Sequence, residues 1–479
     1  VIPHLTIIYG GLSRYDRAQT PPKPFSGSAG EFFTHRTFEV PELKPLFVDI
    51  RVVDTYDMMK PFYNKTRFLL LGEPALKWLQ PDDCNLMKHR GFILTGPNNC
   101  PAVATFHPIE CHDFKATDFV EEEDDNDGDE AKDVGPTSRQ NFLFWALLDY
   151  RKLVAIPWPL PVPIAPVQYI APPIDFVINW ITGIQPGAHV VLDIETRRQD
   201  HSLDCIGLRS NRTTLVIPIY SHTNALHYDH KGTARIYRAL YLLFLRTDIT
   251  IVGHNLSFDL SVLCFRYGLP LPRRLYDTLL SMHREYPQLE KSLSHALSMY
   301  TNSVRNHKGD IAVNVSYANF MRLMRYNADD VYWTEQIMFE QMRRAELDPP
   351  LKQAVETANK IQYCTLLMSF SGIRIDVEAR DKQADIQQTK ADAITRCIRV
   401  LIEDPNFNPA SPPQCAALLY GKLKYPVEEL TKTGAPSTGV KTLYKLQLKQ
   451  FNPVITLIIN AREASKAASM LRFRLKEHA

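Results

Sequence analysis

The stretch VVLDIETRRQD, residues 190–200, places Asp193 and Glu195 two positions apart behind Val190, Val191 and Leu192. Residues i and i+2 of a strand point the same way. Both carboxylates therefore face one side, and Ile194 faces the other. Two like charges this close repel unless something positive lies between them. Carboxylate oxygens suit hard cations such as magnesium and manganese. A lone D-x-E is more often a strand end that turns into a solvated loop. A metal site requires further acids on other elements.

Two segments downstream supply them. ITIVGHNLSFDL, residues 249–260, reads as a short β run from Ile249 to Val252. Gly253, His254 and Asn255 follow, then a helix with Asp259 in its first turns. MRLMRYNADDVYWTEQIMFEQMRR, residues 321–344, reads as one long helix. Tyr326 and Asp330 are four apart and share a face of it. Asp329 would point about 100° away. Such a set suits phosphodiester hydrolysis, which needs charge neutralised on the phosphate and on the leaving 3′ oxygen, and a hydroxide-like nucleophile at neutral pH. Two divalent ions about 4 Å apart supply all three, and four carboxylates are a minimal cage for two such ions. A tyrosine of ordinary pKa, about 10, is a poor base, so metal would have to activate the water.

In their order, DIET, VGHNLSFDL and YNADD resemble the three motifs of proofreading 3′→5′ exonucleases of the four-carboxylate class, tyrosine subtype. YDTLLSM, residues 276–282, falls where that family has an Asp-Thr. The resemblance implies an RNase H-like domain with a mixed sheet and two divalent ions, Mg2+ or Mn2+. It implies that Asp193 bridges the ions, that Glu195 and Asp330 complete one site, and that Asp259 serves the other, partly through water. Tyr326 would orient the attacking water. Asn255 and Phe258, in the second motif, are expected to contact the single-stranded 3′ end of DNA.

The neighbouring elements are those such a domain needs. IGLRSNRTTLVIPIY (206–220) reads as strand, polar turn and strand, and ARIYRALYLLFLRTD (234–248) as an amphipathic helix. Beyond the exonuclease-like region, helices are expected on either side of a turn at Gly372. Ser411 reads as an N-cap with Pro412 at the first helical position. N-P-x-S-P-x-Q (408–414), T-K-T-G-x-P-S-T (431–438) and R-E-x-S-K (462–466) resemble, in order, the thumb of family A DNA polymerases. That family includes bacterial polymerase I and many phage replicases. A thumb implies a grip on primer–template duplex, with Lys432, Arg462 and Lys466 as candidate phosphate contacts. The family's palm and fingers would follow the thumb, and no such segment lies before Ala479. The expectation is a polymerase whose palm and fingers are carried on a separate chain or left out of this one, with no polymerisation by this chain alone.

Ahead of the exonuclease-like region, PPKPFSGSAGEFF, FLLLGEPALKWLQ, MKHRGFIL and PAVATFHPIE resemble the frame of the uracil-DNA glycosylase superfamily, an α/β sandwich. His107 matches its late His-Pro segment. YGGLSRYD departs from the usual water-activating segment, and Cys84 and Cys100 do not fit the iron–sulfur pattern of some members. The resemblance implies a non-catalytic relative with a structural or DNA-guiding role. NFLFWALLDYRKLVAI (141–156) is expected to be its last helix.

The organisation expected is an α/β chain with a glycosylase-like domain at 1–155, a Pro-rich linker at 156–174, an exonuclease domain at 175–345 and a helical thumb at 346–479. The formal charge of +2 conceals EEEDDNDGDE, residues 121–130, which holds eight acids and no base. This acidic loop (121–133) leaves the remainder moderately basic, which fits a polyanion partner although the excess is small for the chain's size. Seven prolines interrupt the apolar run 153–174, so it is no membrane helix. The eight cysteines form no C-x-x-C and read as reduced thiols of a cytoplasmic protein. No signal peptide is evident at the N-terminus. Two rival functions remain at this point. One is a free-standing nuclease for repair or RNA trimming, against which the thumb-like tail speaks. The other is a non-enzymatic DNA-binding replisome subunit, against which the intact acids and Tyr326 speak.

Overall fold

The computed structural model describes residues 4–10, 14–17, 23–25, 27–38, 48–53, 58, 60, 62, 66–112, 139–156, 166–197, 202–303, 317–431 and 434–472. The acidic loop, most of the Pro-rich stretch and Lys432 lie outside them. The chain divides into two compact units, Val1–Phe370 and Ser371–Ala479.

The first unit holds two sheets. The chain begins with β1 (His4–Tyr9), α1 (Arg14–Arg17), α2 (Gly27–Thr37), β2 (Val48–Val52) and β3 (Thr66–Leu71). It continues through α3 (Glu73–Leu79), α4 (Leu86–His89), β4 (Ile93–Thr95), β5 (Pro101–Thr105), α5 (Pro108–His112) and α6 (Arg139–Ala155). The sheet order is β2-β1-β3-β5-β4, parallel except for β4. TRFLLL of β3 is buried along its whole length, as a strand covered on both faces must be.

The second sheet follows: β6 (Val167–Ile170), α7 (Ile174–Thr182), β7 (His189–Thr196), β8 (Leu203–Ser210), β9 (Thr213–Pro218), α8 (His230–Leu245), β10 (Thr250–Gly253), α9 (Leu256–Leu260), β11 (Leu275–Asp277), α10 (Thr278–Glu285) and α11 (Leu293–Tyr300). Its order is β11-β10-β7-β8-β9-β6. β7, β8 and β9 form an antiparallel meander, while β10 and β11 add in parallel on one side and β6 on the other. Asn211 and Arg212 join β8 to β9 with φ of 48° and 64°. Two positive φ values suit a tight two-residue hairpin matched to the strand twist. The end of the Pro-rich stretch is a strand, not a linker alone: β6 pairs with β9 at the sheet's edge, where flanking prolines break no ladder.

Two long helices close this unit, α12 (Tyr317–Leu347) and α13 (Pro349–Ser371). α12 lies across β7, β8 and β9. A buried ion pair fixes it there: Arg209 of β8 donates Nε–H to Glu335 at 2.7 Å, and another N–H to Thr214 on β9.

The two sheets share a core. Phe33, Phe68, Trp145 and Tyr150 of the first region pack in one apolar cluster with Met282, Leu293, Leu297 and Ile337 of the second. Polar groups stitch the same junction. Arg90 makes a two-oxygen contact with Asp149 at 2.8 and 2.9 Å, and its other terminal nitrogen reaches Ser298 and the His295 ring. Lys152 donates to the carbonyls of Gly91 and Ser298. The regions 1–155 and 175–345 thus behave as one packed body.

The second unit is helical. It contains α14 (Val377–Ile402), α15 (Pro412–Ala416), α16 (Val440–Lys449) and α17 (Pro453–Leu471). α14 and α17 pack along each other, and Ile398, Leu443, Ile455 and Ile458 are among the core they share with α16. The chain is therefore α/β with a helical part. Among the described residues, no helix is long and apolar enough to cross a membrane.

Candidate metal centre

β7 presents Asp193 and Glu195 on one face, and α12 crosses that face. Asp193, Glu195 and Asp330 each offer a carboxylate oxygen, and the three oxygens lie within 4.8 Å of one another. Asp330 of the ADD triplet enters this group. Asp329 instead accepts a hydrogen bond from Gln168 at 3.2 Å. The separation follows from helical geometry, since adjacent residues diverge by about 100°.

Asp259 stands beside the three. It is buried on α9 and accepts a hydrogen bond at 3.0 Å from the backbone N–H of Ile194, the residue between the two β7 acids. Burial pushes its carboxyl well above the usual carboxylate range, and the Asp277 and Glu195 charges push the same way. Tyr326, one turn before Asp330, hydrogen-bonds to the Asp330 carboxylate. Burial, with Asp330, Glu195 and Asp193 nearby, drives its phenol above its ordinary value, so it keeps its proton.

The donor set is all oxygen and strongly anionic, which fits a hard divalent cation. Asp193, Glu195 and Asp330 would hold such an ion. The buried, carboxyl-bearing Asp259 adjoins them.

The second-motif loop is held from two sides. Asn255 adopts φ 65°, the left-handed conformation that asparagine tolerates, and starts α9. Its backbone N–H and that of Leu256 donate to the two Asp277 oxygens, each at 2.9 Å. Asp277 is buried at the end of β11 and also accepts from Gln362 of α13 at 2.6 Å. Its own N–H donates to the Asn359 side chain at 2.7 Å. Phe258, beside Asp259, is an exposed aromatic ring, 46% accessible.

Three contributors escaped sequence reasoning. Asn359 and Gln362 sit on the buried stripe of α13 with Val355, Ala358 and Leu366. Polar residues on an apolar face were the available sign. Asn327 is fully buried, and its side-chain N–H reaches Asp193. An asparagine inside a long helix, where it is a poor helix former, was the corresponding sign.

In the second unit, two nitrogens of Arg462 donate to backbone carbonyls. Nε–H reaches the carbonyl of Pro409 at 2.6 Å and Nη1–H that of Thr438 at 2.5 Å. It therefore ties the N-P-x-S-P-x-Q segment to the end of T-K-T-G-x-P-S-T. Lys466 is exposed on α17.

In the first sheet, Tyr9 donates its hydroxyl to the buried Asp16 at 3.2 Å and packs edge-on against His107, with ring centres 4.6 Å apart. Phe25 lies against Tyr9 in turn.

No protein-family model matches the chain, and no curated protein sequence matches it. Among solved structures, the chain is similar to the POL domain of Pol1 from M. smegmatis in complex with DNA primer-template and dNTP. The identity is 17% and the TM-score 0.42, over 63% of this chain and 49% of that one. The match thus spans about half the length of that structure. So remote a likeness leaves the site to be read from its own geometry.

Proposed function

We propose that this chain is a 3′→5′ exonuclease that removes nucleotides from DNA 3′ ends, the proofreading and DNA-gripping part of a family A replicative polymerase. The observation that carries it is the convergence of Asp193, Glu195 and Asp330, from a strand and a crossing helix, with a tyrosine hydroxyl on the last of them. Bound divalent ions, Mg2+ or Mn2+, would neutralise the phosphate and lower the pKa of the attacking water.

The chain's own residues do the rest. Asp193, Glu195 and Asp330 hold positive charge against the scissile phosphate. Asp259, anchored by the Ile194 N–H, supplies a fourth carboxylate at the α9 side. Tyr326 keeps its proton and orients the nucleophile as a hydrogen-bonding partner, not as the base. Phe258 offers a face on which the terminal base stacks, and Asn255 flanks it. Lys466 and Lys432 contact duplex phosphates, while Arg462 ties the Pro409 and Thr438 segments together.

The test uses a 5′-labelled primer–template with a mismatched 3′ end, in Mg2+. Stepwise shortening from the 3′ end, lost in Asp193→Ala, is expected. An unchanged primer, and unchanged single strands, would leave a DNA-binding subunit in its place.

A further inference from the structure

We infer that Asn327 is a positioning residue for Asp193, and that Gly207 exists to make room for it. The inference rests on the proposed metal-dependent reading of the site. Asn327 follows Tyr326 on α12, so it faces neither solvent nor the tyrosine's side but the strand beneath. Its side-chain Nδ2–H donates to Asp193 Oδ2 at 2.7 Å and reaches the Asp193 backbone carbonyl at 3.3 Å. One amide thus grips both the carboxylate and the backbone of the same residue. That fixes the side-chain rotamer of a residue whose carboxylate lies within 4.8 Å of those of Glu195 and Asp330.

The other half of the amide explains a glycine. Asp193 pairs across the sheet with Gly207 of β8. A Cβ on Gly207 would overlap the Asn327 amide oxygen and crowd Val331. Gly207 does not need its backbone freedom here, since its φ is not among the positive values. It is the space that matters. The Asn327 oxygen is buried and accepts no hydrogen bond. A buried acceptor without a donor is unfavourable, a cost set against the two contacts that the N–H end makes to Asp193. The amide's N–H end, aimed at the carboxylate, is what the arrangement secures. An aspartate in its place would set acceptor against acceptor.

The consequence concerns metal affinity more than the chemical step. Asn327 acts through Asp193, whose carboxylate and carbonyl it holds. Loss of the amide frees the Asp193 rotamer, and the cost appears when an ion must be gathered.

The experiment is Mn2+ titration of the full chain without DNA, followed by calorimetry or by the spin signal of free Mn2+. Asp193→Ala serves as the control that defines the site. Asn327→Ala is expected to weaken the Asp193-dependent binding about tenfold. In the nuclease assay it should raise half-saturating Mn2+ by a similar factor, with kcat at saturating metal within about threefold of the parent. Gly207→Ala, which displaces the same amide from the strand side, should give the same split. Asn327→Asp keeps the side-chain volume and guards against simple collapse of the truncated variant; it too should weaken binding. A folded Asn327→Ala or Asn327→Asp protein with unchanged Mn2+ affinity would overturn the inference. So would a parent chain whose Mn2+ binding ignores Asp193. If Mn2+ binds through Asp193 and Asn327 while no DNA is cut, the positioning role stands and the nuclease reading alone falls.

Discussion

The two sheets of the first unit are built alike and used differently. Both contain parallel pairings, among β1, β2, β3 and β5 in the first and among β7, β10 and β11 in the second, and they share an apolar cluster. In the second sheet, the end of β7 carries carboxylates that face a crossing helix with another acid. In the first, the region beyond β1 and β5 is occupied by rings: Tyr9 on His107, with Phe25 against Tyr9 and Phe33 and Phe38 behind. One edge gathers charge that asks for a cation, and the other satisfies itself. Architecture alone did not create a site; the side chains placed on it did.

The sharpest way to break this contrast is a matched pair. Asp193→Ala should lower nuclease turnover by about 10³-fold or more. His107→Ala, at the ring-filled edge, should leave turnover unchanged. Equal losses in both would mean that the first sheet takes part in the chemistry. The junction between the sheets comes next. Asp149→Ala strands a buried guanidinium at Arg90 and should cost about 3–5 kcal/mol in urea unfolding. Turnover measured well below the transition should stay near the parent's. A stability unchanged within error would show that the shared core alone holds the sheets together.

The same junction predicts a pH dependence. Burial lowers the His295 pKa from 6.5 to about 4, and the Arg90 cation beside the ring adds to the lowering, against Glu290. Between those values the unfolded chain takes up a proton that the folded chain refuses. Stability should therefore fall as pH drops from 6.5 toward 4, by up to about 3 kcal/mol. His295→Gln should flatten that part of the profile; a slope that persists belongs to other groups. A smaller effect tests the site itself. Tyr326→Phe should reduce turnover by about 10–100-fold through a less well oriented nucleophile, with metal dependence unchanged. A shift in the Mn2+ requirement instead would make the tyrosine part of the ion cage.

Legibility tracked distance along the chain. The strand pair Asp193 and Glu195 and the helical step from Tyr326 to Asp330 are local, so period alone placed them. The hairpin at Asn211–Arg212 and the helix carrying Asp259 were legible for the same reason. Asp277 was visible as a motif position, but its task was not, because its partners Asn359 and Gln362 come from a helix more than eighty positions later in the chain. The grip of Asn327 on Asp193 likewise depends on α12 crossing β7, a tertiary fact with no local signature. β6 was hidden because prolines around Val167–Ile170 read as linker, and only the pairing with β9 reveals a strand. Arg462 was singled out as a phosphate contact, and its bonds to the Pro409 and Thr438 carbonyls were hidden because sequence does not bring those two segments together.

The reach of α13 to Asp277 bears on where the chain can be cut. A fragment ending at 345 would keep every carboxylate of the site, yet lose Asn359, Gln362 and Leu366. The loop carrying Asn255, Phe258 and Asp259 would then be held from one side only. The compact unit Val1–Phe370 retains both holds, so a protease that nicks just beyond it should release the acids with their scaffold whole.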